Sequence, residues 1–177
     1  SSSRGAVDAE FIRTHNLESP HNAIPVEPRR YLRCLGHPAL FAPNGDPVRF
    51  RTRKHLALLI YLAVDPRPHQ RVRLAELFWP KVSLTEARHS LATGLSTLRP
   101  RLGPQALDTG RDHVHLMPGR VDLDLDRLQA GDVLGTEVTG VLPVAAFLDG
   151  FDIADSAEFT HWKDRQQARL LPMIKDA

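Results

Sequence analysis

Between Ser83 and Gly103 the chain reads SLTEARHSLATGLSTLRPRLG, a stretch whose apolar residues keep one helical period. At about 100° per residue, Leu84, Ala87, Leu91, Leu95, Leu98 and Leu102 fall within about 40° of a single line. Such a stripe predicts a helix over 84–102 with the whole stripe buried, so neighbouring elements must cover it. Ser83 is the expected N-cap, and Glu86 three residues on completes the spacing of a capping box. The opposite face offers Thr85, Glu86, His89, Thr93 and Ser96, with Arg88 and Arg99 flanking it. That face holds one carboxylate among small polar and basic groups, a composition suited to approaching a polyanion. Gly94 and Pro100 interrupt the helix, Gly94 at a cost of roughly 1 kcal/mol relative to Ala.

The segments before and after can supply the cover. YLRCLG from Tyr31 alternates as a strand, with Leu32, Cys34 and Gly36 on one side, and HPALFAPNGDPVRF reads as a small meander turning at Asn44–Gly45. RKHLALLIYLAV predicts a helix over 53–64 with Leu56, Leu59, Ile60 and Ala63 inward and Asp65–Pro66 as its stop. RPHQRVRLAELFWP predicts an extended piece at Arg71 and Val72, then a short helix from Leu74 to Trp79 ended by Pro80, with Trp79 as an anchor between helices. After the long helix, Ala106 to Thr109 and His113 to Met117 are β-runs around a TGRD turn, which places Arg111 near a hairpin tip. Two helices with a short connection followed by a hairpin form a helix-turn-helix with a wing, within an α+β fold.

Charge adds a second line of argument. Hydrophobic residues make up 42% of the 177 and charged residues 25%, the profile of a chain able to bury a core. The net +2 is uneven: residues 1–48 balance, residues 49–120 carry thirteen Lys/Arg against five Asp/Glu, and residues 121–177 carry five against eleven. A basic block of this kind points to a nucleic-acid partner. Within it, Arg51, Arg53 and Lys54 crowd the first turn of the first helix, where the positive end of the helix dipole ordinarily favours acids and can seat a phosphate. No apolar run approaches the roughly 18 residues needed to span a bilayer, and no apolar leader opens the sequence, so a cytoplasmic location without membrane contact is expected. The lone Cys34 allows no internal disulfide.

The run GDPVRFRTRKHLALLIYLAVDPRPHQRVRLAELFWP, then EARHSLATGLSTLRPRLG and ALDTGRDHVHL, resembles the winged helix of the SARP family of bacterial antibiotic-pathway activators, of the OmpR/PhoB type. VDLDLDRL and FLDGFDIADSAEFTHWKDRQQARL are similar to the opening of the bacterial transcriptional activator domain that follows in that family. The resemblance covers residues 31 to 171 and lies in the order of the segments. It implies a four-stranded N-terminal sheet, three helices and a C-terminal hairpin, followed by a partial α-helical, TPR-like segment. It also implies binding to direct-repeat promoter DNA, contact with RNA polymerase, and homo-oligomers formed on DNA. By position, Arg88 corresponds to a base or phosphate contact at the start of the recognition helix and Arg99 to a backbone contact or ion-pair partner near its end; Arg53 and Lys54 match the basic start of the first helix.

The expected organisation is therefore a flexible N-terminal extension over 1–29, a winged-helix DNA-binding domain over 30–120, and the start of an activator domain over 121–177. The spaced Asp122, Asp124 and Asp126 lack the Gly and terminal Glu of a calcium loop and read more simply as a half-exposed strand or linker leading into a helix. Ser156 is the expected N-cap of an amphipathic helix with Phe159, Trp162, Gln166 and Leu170 on one face, ended or kinked by Pro172. Its apolar side needs a partner, either the winged helix or a second copy. No GxSxG elbow, HExxH helix or phosphate-binding glycine motif occurs, and His113 and His115 read as an exposed pair rather than a metal site with His89, so neither catalysis nor a cofactor is expected. The reading is a sequence-specific DNA-binding regulator; its rival is a winged helix serving only protein contacts. Arg51, Arg53, Lys54, Arg71 and Arg73 are its phosphate contacts; Thr85, Arg88, His89, Thr93 and Ser96 read the major groove, and Arg111 probes the minor groove.

Overall fold

The computed structural model describes residues 29–129 and 146–176, so the expected extension lies almost wholly outside the described residues. Strand β1 (Arg30–Arg33) buries Leu32 and leaves Tyr31 and Arg33 half-exposed, the alternation its sequence predicts, and Cys34 just past its end is also buried. It pairs antiparallel with β2 (Ala39–Phe41), which pairs with β3 (Pro47–Val48). The turn between β2 and β3 forms at Asn44–Gly45 as expected: Asp46 N donates to Asn44 Oδ1 at 3.0 Å, and Gly45 has a φ of +92°.

The sheet gains its fourth strand from the far side of the long helix. Strand β7 (Val121–Leu123) lies parallel to β1, so the boundary expected at 120 falls between two strands and the sheet crosses it. Directly after β7, Asp124 is 3% exposed and accepts from Cys34 N at 3.0 Å and Leu35 N at 2.8 Å. The sheet end is thereby tied to the short helix α4 (Asp124–Gln129).

Helix α1 (Arg53–Val64) starts and stops where its sequence predicts, with Thr52 Oγ1 accepting from His55 N and the Asp65 N–H donating to Tyr61 O. Leu59, Ile60 and Ala63 are buried, but so are His55, Ala57, Leu58 and Leu62, while Leu56 is only partly so. A helix covered on nearly every side is central, and here α3 and the C-terminal segment both pack on it. Helix α2 (Arg71–Phe78) starts three residues earlier than expected, and the extended piece is β4 (His69–Gln70). The shift has a non-local cause: His69 and Gln70 pair with Val114 and His113 of the hairpin, and Arg71 N donates to Asp112 O at 2.9 Å.

Helix α3 (Leu84–Leu102) has its expected ends, with Ser83 Oγ accepting from Glu86 N at 3.2 Å. The buried stripe is Ala87, Leu91, Leu95, Leu98 and Leu102; Leu84 departs from expectation at 44% exposure, because it sits in the first turn beside exposed Val82, past the end of the packed interface. Gly94 joins the stripe. A Cβ there would stand 3.3 Å from His55 Cδ2 and 3.4 Å from Leu58 Cδ2, so the glycine allows α3 to close onto α1. Pro100 lies exposed in the last turn, and the helix continues to a glycine cap at Gly103, whose N–H donates to Arg99 O. Strands β5 (Leu107–Thr109) and β6 (His113–Leu116) form the expected hairpin, and β4 completes a three-stranded sheet.

The C-terminal helix α5 (Ala157–Asp176) runs on through Pro172 instead of ending there. Pro172 is exposed, so the carbonyl it leaves without an intrahelical donor, that of Ala168, lies on a solvent side where water can serve it. Ser156 caps the helix, accepting from Phe159 N at 3.2 Å. Phe159, Trp162 and Leu170 are buried, with Trp162 4.9 Å from the Tyr61 ring and Phe159 5.8 Å from Phe78, so the apolar side of α5 is covered by α1 and α2.

Candidate nucleic-acid interface

With its leucines facing α1 and α2, α3 turns Thr85, Arg88, His89, Thr93 and Ser96 outward, all exposed. Ala92 and Pro100 share this face, and neither was marked out by polarity. Their small or compact side chains keep the surface low, so a ligand can come close to the helix backbone. Glu86 is the only carboxylate on α3, and it sits in the first turn.

Beside this face lies a cleft of about 530 Å³ lined by Gln70, Arg71, Val72, Arg88, Leu91, Arg111 and Asp112. Three elements meet there: the start of α2, the first half of α3 and the hairpin tip. Arg71 builds the cleft as well as lining it. Its Nε donates to Gly110 O at 2.9 Å, and its backbone N–H holds Asp112 O, so the tip is bound to the start of α2. The tip is tight, with Gly110 N donating to His113 O at 2.9 Å and the His113 ring standing where a Cβ at Gly110 would lie, so the ring would have to move aside for one. Arg111 projects at the tip and is exposed, as is Asp112, the one acid on the rim. Gln70 and Asp112 were missed at sequence level because only the β4–β6 pairing brings them to this place.

The remaining candidates are placed differently. Arg99 donates through Nη2 to Thr109 Oγ1, which fastens the C-terminal part of α3 to β5. Arg51 and Arg53 are exposed beside the start of α1, and exposed Arg73 stands 3.8 Å from Glu76. Lys54 is turned toward the C-terminal segment: its Nζ donates to Asp155 Oδ2 at 2.6 Å and lies 5.6 Å from the centre of the Trp79 ring. That hydrogen bond and the charge of Lys54 hold the Asp155 carboxyl below the usual carboxylate range. Lys54 is thus engaged within the fold, and Trp79 is the half-buried anchor expected of it.

Behind this face of α3, His55 is buried against Gly94, and burial followed by the charges of Arg101 and Arg51 pushes its imidazole pKa down. On the hairpin, His113 Nε2 is 3.7 Å from Asp108 and His115 Nε2 is 3.1 Å from Pro66 O. Among the described residues no group of three or more His, Cys, Asp or Glu side chains is arranged to hold a metal ion. No helix among them is long and apolar enough to cross a membrane.

No family model matches the chain, and no curated protein matches it. Among solved structures it is similar to Mycobacterium tuberculosis EmbR in complex with a low affinity phosphopeptide, with a TM-score of 0.60 and 19% sequence identity. The two chains share a fold. The likeness covers 82% of this chain and 43% of the EmbR chain, so it takes in most of the elements above and less than half of EmbR. The mixed α+β arrangement of small sheets and five helices among the described residues is similar to that of the EmbR chain.

Proposed function

We propose that the chain is a sequence-specific DNA-binding transcriptional regulator of winged-helix type. In this reading α3 is the recognition helix and the β5–β6 hairpin is the wing. The observation that carries it is the convergence of Arg71, Arg88 and Arg111 on one cleft beside an outer helix face made of Thr85, His89, Ala92, Thr93 and Ser96. Arg71 would hold a backbone phosphate, while Arg88 and the low polar face would meet base edges in the major groove. Arg111, at the hairpin tip, would enter the neighbouring minor groove. Arg51, Arg53 and Arg73, all exposed, would add phosphate contacts, and Lys54 would act within the fold.

The fold shared with EmbR and the SARP-like order of segments support the finer points of the proposal. These are activation at promoters carrying direct repeats, homo-oligomers assembled on that DNA, and contact with RNA polymerase. Residues 30–120 would carry the DNA-contacting surface, and 121–177 would begin the activator segment.

Selection of bound sequences from a random DNA pool at two salt concentrations tests the proposal. An enriched motif, with affinity falling steeply as salt rises, is the expected result. A chain that retains no DNA even at low salt would instead be a protein-interaction module. On the selected site, Arg88→Ala should weaken binding by roughly 1–3 kcal/mol and relax base preference, whereas Arg111→Ala should act more evenly across sequences. Unchanged affinity and preference in the Arg88 variant would remove α3 from its assigned role.

A further inference from the structure

A second basic cleft, also of about 530 Å³, lies at the other end of α3, with Arg30, Arg99, Gly103, Gln105 and Leu107 among its lining. Arg30 opens β1 and carried no functional signal in the sequence. Its guanidinium lies directly over Gly103: a Cβ at that position would stand 2.7 Å from Nη1 and 3.2 Å from Cζ. Gly103, with a φ of +87°, therefore serves as helix cap and as the floor on which the guanidinium rests.

Neither arginine in this cleft has an acidic partner among the described residues. Arg30 is half-buried, and the only hydrogen bond drawn from the Arg99 side chain goes to a neutral hydroxyl, Thr109 Oγ1. A guanidinium partly withdrawn from water without a counter-charge favours a site that an anion can fill. The partial negative charge of the α3 C-terminus, about half an elementary charge, is too small to balance two arginines. Arg88 and Arg99 are eleven residues apart, which returns them to within about 20° of the same flank and sets them about 16 Å apart along the axis. A strand carries a phosphate roughly every 3.4 Å of duplex axis, so the two clefts would take different phosphates.

We propose that Arg30 and Arg99 form a second phosphate seat for DNA at the C-terminal end of α3, separate from the Arg71–Arg88–Arg111 cleft. This rests on the DNA-binding reading. It adds a residue from the N-terminal sheet to the interface, and so ties the sheet's position to the register of α3 on the duplex.

The test is the slope of log affinity against log salt, measured for the full chain on a mixed-sequence duplex of about 30 base pairs, where each phosphate neutralised contributes roughly 0.9. Arg30→Gln is expected to flatten the slope by about 0.9, so that its loss of affinity between 50 and 200 mM salt is about 3.5-fold smaller than that of the parent chain. Arg30→Lys should keep most of the slope. A role confined to capping the helix would lower the melting temperature of Arg30→Gln and leave its slope unchanged, and that result overturns the seat. Should Arg30→Gln fail to fold, Gln105→Glu places a carboxylate in the same cleft at an exposed position; it should weaken binding and flatten the slope, and parent-like values overturn the seat equally. A parent chain with no salt-dependent binding overturns the DNA reading itself, whereas a normal parent slope unaltered in the variants removes only the seat.

Discussion

Single residues show where local pattern ends. VDLDLD presents three aspartates in equivalent settings, yet only Asp124 is buried, because only the parallel pairing of β7 with β1 brings it under the backbone N–H groups of Cys34 and Leu35. Burial raises its carboxyl pKa above the ordinary value despite those donors, and burial followed by the nearby Asp124 charge pushes the Cys34 thiol well up. A raised carboxyl pKa means that, as pH falls, the folded chain binds the proton before the unfolded chain does. This group therefore adds stability on acidification, complete by about pH 3.8, the unfolded value. Asp124→Asn turns an amide NH₂ toward N–H donors and should cost roughly 1–3 kcal/mol in urea unfolding at neutral pH. The gap between parent and variant should widen as pH falls toward 4; a gap that narrows would reverse the assigned shift. Gly94 teaches the same lesson: it looks like a defect in a helix until His55 and Leu58 of α1 are set against it.

At the level of elements, legibility follows the range of the interactions that set each boundary. Helix α3 and the hairpin were readable because their capping serine, leucine period and turn residues are local. The start of α2 was not, since β4 pairs with a strand more than forty residues away, and the engagement of Lys54 was hidden because Asp155 lies 101 residues on. The outer face of α3 was therefore legible in the sequence, while the cleft beside it and the Arg30 seat depend on tertiary approach. The joint between α5 and α2 centres on Ser156, 1% exposed, which donates to Leu77 O at 2.6 Å and accepts from Phe159 N. Ser156→Ala removes a helix cap and leaves a buried carbonyl without its side-chain donor, so a loss of roughly 1–3 kcal/mol is expected in thermal or urea unfolding. The neighbouring Lys54–Asp155 pair is partly exposed, and Asp155→Asn should cost less than about 1 kcal/mol and make stability less sensitive to salt. Because the Asp155 pKa is lowered, the pair's contribution is present above the unfolded carboxyl value of about 3.8 and is lost as pH falls through the folded value.

Across the whole molecule one apolar core runs from Leu32 through α1, α2 and α3 to Leu170, so the basic and acidic thirds of the sequence fold around common side chains. Tyr61, Phe78, Phe147, Phe159 and Trp162 meet where the two thirds join, with Phe159 fully buried at 5.8 Å from Phe78 and 5.5 Å from Trp162. Sequence alone left open whether α5 needs a second copy to cover it; this aromatic cluster covers it from within the chain. Continuity of the core predicts a single cooperative unfolding transition, in which far-UV circular dichroism and the fluorescence of Trp79 and Trp162 change together. Phe159→Ala should lower stability by roughly 3–5 kcal/mol, and should do so for both probes at once, because the cavity opens against α2 as well as within α5. If α5 instead melted first and left the α1–α3 unit intact, the variant would separate the two probes, and DNA binding would survive the first transition. The expected result is loss of DNA binding at the same temperature as loss of the Trp162 environment, since the face that would touch DNA and the helix that stands behind it are held by the same core.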